Sequence, residues 1–158
     1  MKFSMKSLLV GVALALVTSA AVAAAPDPVI GSWKLNLAKS TFNPGPAPKG
    51  QTRTYEQTAQ GVSVTIKTTG ADGKDSTSTM TFNADGKSYP MTGNPAFDTV
   101  SVTRVDAQTV NSTQMKAGVP VGTAVRTVSK DGKTLSFMQK GTQPSGAKYE
   151  DVTVYDRQ

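Results

Sequence analysis

Apolar and polar side chains alternate through most of this chain, and this period of two constrains the fold more than any other feature. In the clearest run, Val62, Val64 and Ile66 alternate with polar residues, which is typical of a strand with one buried face. Similar segments follow one another from Gln51 to Arg157, and no helical period interrupts them. The pattern predicts about nine or ten short strands.

The tripeptide Asp-Gly-Lys recurs at residues 72–74, 85–87 and 131–133. Asp-Gly suits the positive φ angles of tight hairpin turns. Successive hairpins favour an up-and-down barrel over a β-sandwich, because a Greek key needs a long crossover. The one long connector, residues 43–50, carries three prolines and is predicted to be extended, either as a rigid loop across a barrel end or as a lid. We therefore predict an all-β fold, an antiparallel up-and-down β-barrel.

The N-terminus has the pattern of a secretory signal peptide. Lys2 and Lys6 precede an apolar run from Leu8 to Val17, and small residues follow up to Ala25. Cleavage after Ala23 fits an A-x-A site, and cleavage after Ala24 fits nearly as well. An uncleaved anchor is the alternative, but the apolar run is shorter than the roughly 20 residues that span a bilayer.

Removal of residues 1–23 leaves residues 24–158, enough for one barrel domain. We expect this domain to be periplasmic or secreted and monomeric, without a stable membrane anchor. No cysteine follows the apolar run, so neither a lipid anchor nor a disulfide is expected. Without Lys2 and Lys6, the 17 basic residues fall to 15 against 11 acidic ones, a net charge of +4. These charges are spread along the chain, so no nucleic-acid partner is predicted.

The chain offers little catalytic chemistry. It has no histidine and no cysteine, which removes the usual general base, the thiol nucleophile and the commonest metal ligands. The Asp-Gly turns lack the ligand spacing of a calcium loop. We therefore predict no catalytic residues, no metal and no cofactor, and the enzyme alternative depends on acidic pairs across strands. The carboxylates available for such pairs are Glu56, Glu150, Asp151 and Asp156.

Several motifs resemble known families. Gly31-Ser32-Trp33 resembles the Gly-x-Trp signature in the first strand of lipocalins and their calycin relatives. Residues 131–135 and 152–157 are similar to the ends of intracellular fatty-acid-binding proteins. The opening residues 33–36 and the Pro-Gly-Pro loop look like small exported bacterial lipocalin-like proteins. The resemblance implies a barrel in which Trp33 packs at the closed end beneath a basic side chain of the last strand, with Arg157 in the matching position and Gly31 in a structural role.

The resemblance also has departures. Fatty-acid-binding proteins present an Arg-x-Tyr pair on the final strand to the ligand carboxylate. Here Tyr155 matches the tyrosine, but Thr153 stands at the arginine position. The Pro-rich connector replaces the helix-turn-helix of that family, and the lipocalin disulfides are absent.

The function predicted from this pattern is binding of a small apolar or amphipathic molecule inside the barrel, since barrels of this size can enclose one ligand. A barrel filled by its own side chains, acting as a structural or interaction protein, is the alternative. An enzyme acting on a ligand inside the barrel is a further one. The predicted ligand-binding residues are Tyr55, Ile66, Phe82, Tyr89, Phe97, Phe137 and Tyr155.

Overall fold

The computed structural model describes residues 26–158, and the predicted signal peptide, residues 1–23, lies outside the described residues. Ten strands form one closed antiparallel barrel, which confirms the predicted fold class. The strands are β1 Gly31–Leu35, β2 Gly50–Thr58, β3 Gly61–Thr69, β4 Asp75–Phe82, β5 Asp85–Thr92, β6 Thr99–Arg104, β7 Thr109–Lys116, β8 Val119–Val128, β9 Thr134–Thr142 and β10 Lys148–Arg157. In the described part of the chain, no helix has the length and apolar character needed to cross a membrane.

Each strand pairs with the next one along the chain, and β1 closes the barrel by pairing with β10. Two of the three Asp-Gly-Lys copies form hairpin turns, with Gly73 at φ 85° and Gly132 at φ 69°. The hairpin prediction fails for the middle copy. Asp85 begins β5, and the register shifts between Asp85 and Ser88, so this copy forms a bulge inside the strand.

The connector between β1 and β2 completes the barrel wall. β1 pairs with only the last residues of β10. Beyond a short 3-10 helix, Leu37–Lys39, the chain runs along the rest of β10: Thr41 bridges Val152, and the Asn43 carbonyl accepts from the Glu150 amide at 2.7 Å. Residues 41–43 therefore occupy a strand-like position beside β10, whereas the predicted extended connector, residues 43–50, begins with a bend at residues 43–45.

The two ends of the barrel differ in construction. At the closed end, the side chains of Trp33, Leu135, Val128 and Val29 are fully buried, and the Trp33 indole donates to the Val29 carbonyl. The opposite end, here called the mouth, carries the turns at residues 70–74, 93–98, 117–118 and 143–147. The pairing between β4 and β5 is limited to Thr79–Thr92 and Met80–Met91.

Candidate binding cavity

The barrel encloses a cavity of about 370 Å³ that reaches the mouth. This volume lies within the range of small-molecule sites, about 300–1,000 Å³. The apolar part of the wall is formed by Tyr55, Ile66, Phe82, Met91, Phe97, Val100, Val102, Val110, Ala124 and Phe137. The polar part is formed by Gln51, Thr68, Ser76, Ser78, Asn94, Ser112, Gln114, Gln139, Gln143, Tyr149 and Asp151. Since many polar residues lie where strands reach the mouth, the cavity has an amphipathic lining.

Five of the seven predicted ligand-binding residues line this cavity: Tyr55, Ile66, Phe82, Phe97 and Phe137. The other two lie elsewhere. Tyr155 is 1% exposed and does not line the cavity, but its ring packs edge-on against Phe137, which does. Tyr89 packs against the core and donates its hydroxyl to Asp85 at 2.9 Å, so its polar end points away from the cavity.

Arg53 brings a positive charge into the cavity wall. Its guanidinium lies 4.3 Å from the Phe137 ring centroid and 5.1 Å from that of Tyr155. Its Nε donates to Gln51 Oε1 at 3.0 Å, and the Tyr155 hydroxyl donates to the same oxygen at 2.5 Å. Within residues 26–158, no carboxylate approaches Arg53 as closely as 4.0 Å.

The charge on Arg53 is secure despite its position in the wall. Burial lowers the pKa of this guanidinium, but the neighbouring Tyr155 and Tyr55 raise the pKa by more. The net shift is therefore upward. Aromatic faces also stabilise a guanidinium through cation–π attraction. Arg53 is therefore a permanent cation that the protein solvates with rings and an amide.

A second arginine, Arg126, lies deeper and is 4% exposed. Its Nη2 lies 3.6 Å from Asp27 Oδ1, its guanidinium lies 5.7 Å from the Tyr55 ring centroid, and its Nε has no hydrogen-bond partner. Asp27 also pairs with Arg104 and accepts from the Val29 amide at 3.0 Å. The two arginines thus differ, since Arg126 has a counter-ion in the protein.

Asp27 belongs to the segment that seals the closed end. Burial raises the pKa of its carboxyl, but the Val29 amide, Arg104 and Arg126 together lower the pKa by more. The net pKa therefore lies below the ordinary 3.8. The Trp33 Nε1 donates to the Val29 carbonyl at 2.7 Å. Charge pairing and this indole bond therefore hold the segment in place.

Arg157 covers the tryptophan from outside. Its guanidinium lies 4.1 Å from the Trp33 ring centroid, and it donates to the carbonyls of Ile30, Pro28 and Gly132 at 2.5–2.7 Å. A Cβ at Gly31 would lie 2.5 Å from Arg157 Nη1. The glycine of the Gly-x-Trp motif thus leaves room for the arginine that covers the indole.

At the mouth, Asp151 and Tyr149 complete the polar wall. Asp151 Oδ1 accepts from the Asn43 amide at 2.9 Å, and the Tyr149 hydroxyl donates to Gln114 Oε1 at 3.2 Å. Burial raises the pKa of the Tyr149 hydroxyl, and the Asp151 carboxylate raises it further. These groups offer hydrogen bonds to the polar part of a ligand.

Sequence reasoning missed the polar and charged residues of the cavity. The alternation that placed Tyr55 inside also puts Arg53 and Gln51 on the same face, so these two could have been found. Arg126 and Gln114 required the register of β8 and β7, which the sequence does not display. Within residues 26–158, no group of three or more acidic side chains is arranged to hold a metal ion.

A larger groove of about 920 Å³ lies on the outer face of the barrel. It is lined by exposed side chains such as Lys34 and Lys67 and by outward-facing threonines such as Thr52. Because it has no buried polar group aimed into it, it is a weaker candidate than the cavity.

No protein-family model matches this sequence, and no curated protein matches it. Among solved structures, the chain is similar to the ileal bile acid-binding protein of zebrafish complexed with cholic acid. The TM-score is 0.50 and the identity 11%, over 83% of this chain and 99% of that chain. The likeness shows the fold alone, a closed antiparallel barrel of ten strands.

Proposed function

We propose that this protein is an exported carrier whose cavity binds one small amphipathic anion. The observation that carries the proposal is Arg53, a cation in the cavity wall without a carboxylate within 4.0 Å in residues 26–158. Arg53 is partly buried, and removing a charge from water is costly unless it is paired. A ligand anion would supply the missing partner, and the apolar wall would hold the rest of the molecule.

Arg53 and Tyr155 together supply the arginine and the tyrosine that an Arg-x-Tyr pair would place on the last strand. Tyr155 keeps the tyrosine position, and a guanidinium reaches it from β2 because Arg53 lies 5.1 Å from its ring. Guanidinium groups bind carboxylates through paired, charge-assisted hydrogen bonds. The neighbouring cation, Arg126, is already paired with Asp27, so Arg53 is the preferred anchor.

Calorimetric titration with decanoate and decanol, which share one alkyl chain, tests this assignment. We expect decanoate to bind the wild-type protein with 1:1 stoichiometry and decanol to bind more weakly. Arg53→Met keeps apolar cover over Phe137 and removes the charge, and it should weaken decanoate binding roughly ten- to hundredfold.

Lys67→Met is the matched control, because it removes one positive charge from the outer face of β3. Its decanoate affinity should equal that of the wild type. Equal affinity of Arg53→Met and wild type for decanoate would contradict the anion site, and absence of binding by either compound would favour the filled barrel.

Export is the second half of the proposal. It is supported by Lys2, Lys6 and the short apolar run before Ala23. The intact mass of the protein from the periplasmic or extracellular fraction should correspond to a chain that begins at Ala24, and gel filtration should show a monomer. A full-length mass in the cytoplasmic fraction would contradict it.

A further inference from the structure

Four neighbouring positions form one row across the mouth: Tyr149 on β10, Gly141 on β9, Gly122 on β8 and Gln114 on β7. The Tyr149 side chain crosses the two glycines, and its hydroxyl donates to Gln114 Oε1 on the far side at 3.2 Å. One tyrosine therefore spans two strands of the barrel wall at the opening of the cavity.

The two glycines leave room for this side chain, and Gly141 also leaves room for the Val121 carbonyl, which a Cβ there would approach to 2.3 Å. A Cβ at Gly122 would lie 2.9 Å from the Tyr149 hydroxyl and 2.3 Å from Gln114 Oε1, and one at Gly141 would lie 2.9 Å from Tyr149 Cε1. Neither glycine has a positive φ, so backbone conformation does not explain them. Glycine inside a strand weakens the sheet and often marks a close approach. Gly141 and Gly122 thus present bare backbone, here called the seat, against which the Tyr149 ring lies.

Few interactions hold Tyr149 on this seat. Its ring is only partly buried, and its hydroxyl makes one hydrogen bond of 3.2 Å, whereas Tyr155 is 1% exposed and bonds Gln51 at 2.5 Å. We propose that Tyr149 is the gate of the cavity: seated across Gly141 and Gly122 it narrows the mouth, and rotated off the seat it admits or releases the ligand. For its biological role the gate relies on the proposed function, but its opening can be measured without any ligand.

A thiol placed inside the cavity measures the opening. The chain has no cysteine, so Ser112→Cys, a nearly isosteric change in the cavity wall, introduces a single reactive group. The rate at which dithiobis-nitrobenzoate labels this variant reports access past the mouth. Adding Tyr149→Phe removes only the hydrogen bond, and adding Gly122→Ala pushes against the movable ends of Tyr149 and Gln114.

Both additions should raise the labelling rate roughly two- to tenfold, as the loss of one ordinary hydrogen bond would do. Tyr89→Phe, which removes a tyrosine hydroxyl away from the cavity, should leave the rate unchanged. Equal rates in all four proteins would overturn the gate, whether or not the wild type binds decanoate. In proteins that bind decanoate, the two gate variants should also release it faster by a similar factor.

Discussion

The two ends of this barrel differ in purpose, since one end is closed and the other opens to the cavity. Each end has a large ring: Trp33 at the closed end is fully buried, whereas Tyr149 at the mouth is partly exposed. The indole is covered by Arg157, which makes three hydrogen bonds to backbone carbonyls. The phenol makes one hydrogen bond to a single side chain.

The charged side chains also differ between the closed end and the cavity wall. At the closed end, Asp27 pairs with Arg126 and Arg104. In the cavity wall, Arg53 has rings and an amide around it and no carboxylate within 4.0 Å in residues 26–158. The charged groups of the closed end are thus paired within the protein, although the Nε of Arg126 has no hydrogen-bond partner, and the cavity keeps one unpaired cation for a ligand. Variants at the two ends can therefore test whether stability and binding are separable.

The largest effect on stability is expected from Trp33→Ala. Removing the indole leaves a cavity beneath Arg157 and should lower the free energy of unfolding by about 3–5 kcal/mol. Chemical denaturation followed by circular dichroism measures the loss. A denaturation midpoint equal to that of the wild type would show that the closed end does not organise the fold.

Asp27→Asn should cost about 1.5–3 kcal/mol at neutral pH, the range for hydrogen bonds to charged groups. The cost depends on pH, because the folded pKa of Asp27 lies below its ordinary 3.8. Its stabilising effect is present above that ordinary value and is lost as the pH falls through the folded pKa. The stability difference between wild type and variant should therefore shrink on acidification below about pH 4. A difference that grows instead would contradict the ion-pair assignment.

Two alanine substitutions compare neighbouring glycines at the mouth. A Cβ at Gly141 would lie 2.3 Å from the Val121 carbonyl, a fixed backbone atom, so Gly141→Ala should destabilise the fold by about 1–3 kcal/mol. Gly122→Ala meets first the movable ends of Gln114 and Tyr149 and should cost less. Thermal melts of the two variants measure the difference, and the reverse order would contradict the description of the seat.

The smallest effect is expected outside the barrel. Lys39 and Asp156 form an ion pair of 3.1 Å with both side chains about half exposed. Such pairs contribute less than about 1 kcal/mol, so Lys39→Ala should scarcely change the melting temperature. A loss as large as that of Asp27→Asn would mean that burial does not separate structural from incidental charges in this protein.

The closed end was predictable and the mouth was not, for physical reasons. Alternation and turn residues are local signals, so the strands and the barrel could be predicted from them, and the Gly-x-Trp motif located the closed end. Arg53 could have been assigned to the interior from Tyr55 two residues away. Arg126 and the row from Tyr149 to Gln114 could not, because they depend on register across several strands. The same limit explains Tyr89, whose strand carries a bulge that alternation does not reveal.

The most direct test of ligand binding in the barrel is native mass spectrometry of the mature protein purified without denaturation from the cells that produce it. We expect one small anion bound per chain, released on denaturation, and bound at much lower occupancy by Arg53→Met. A ligand-free mass that stays unchanged when decanoate is added would contradict the carrier function and favour the alternative of a structural or interaction protein.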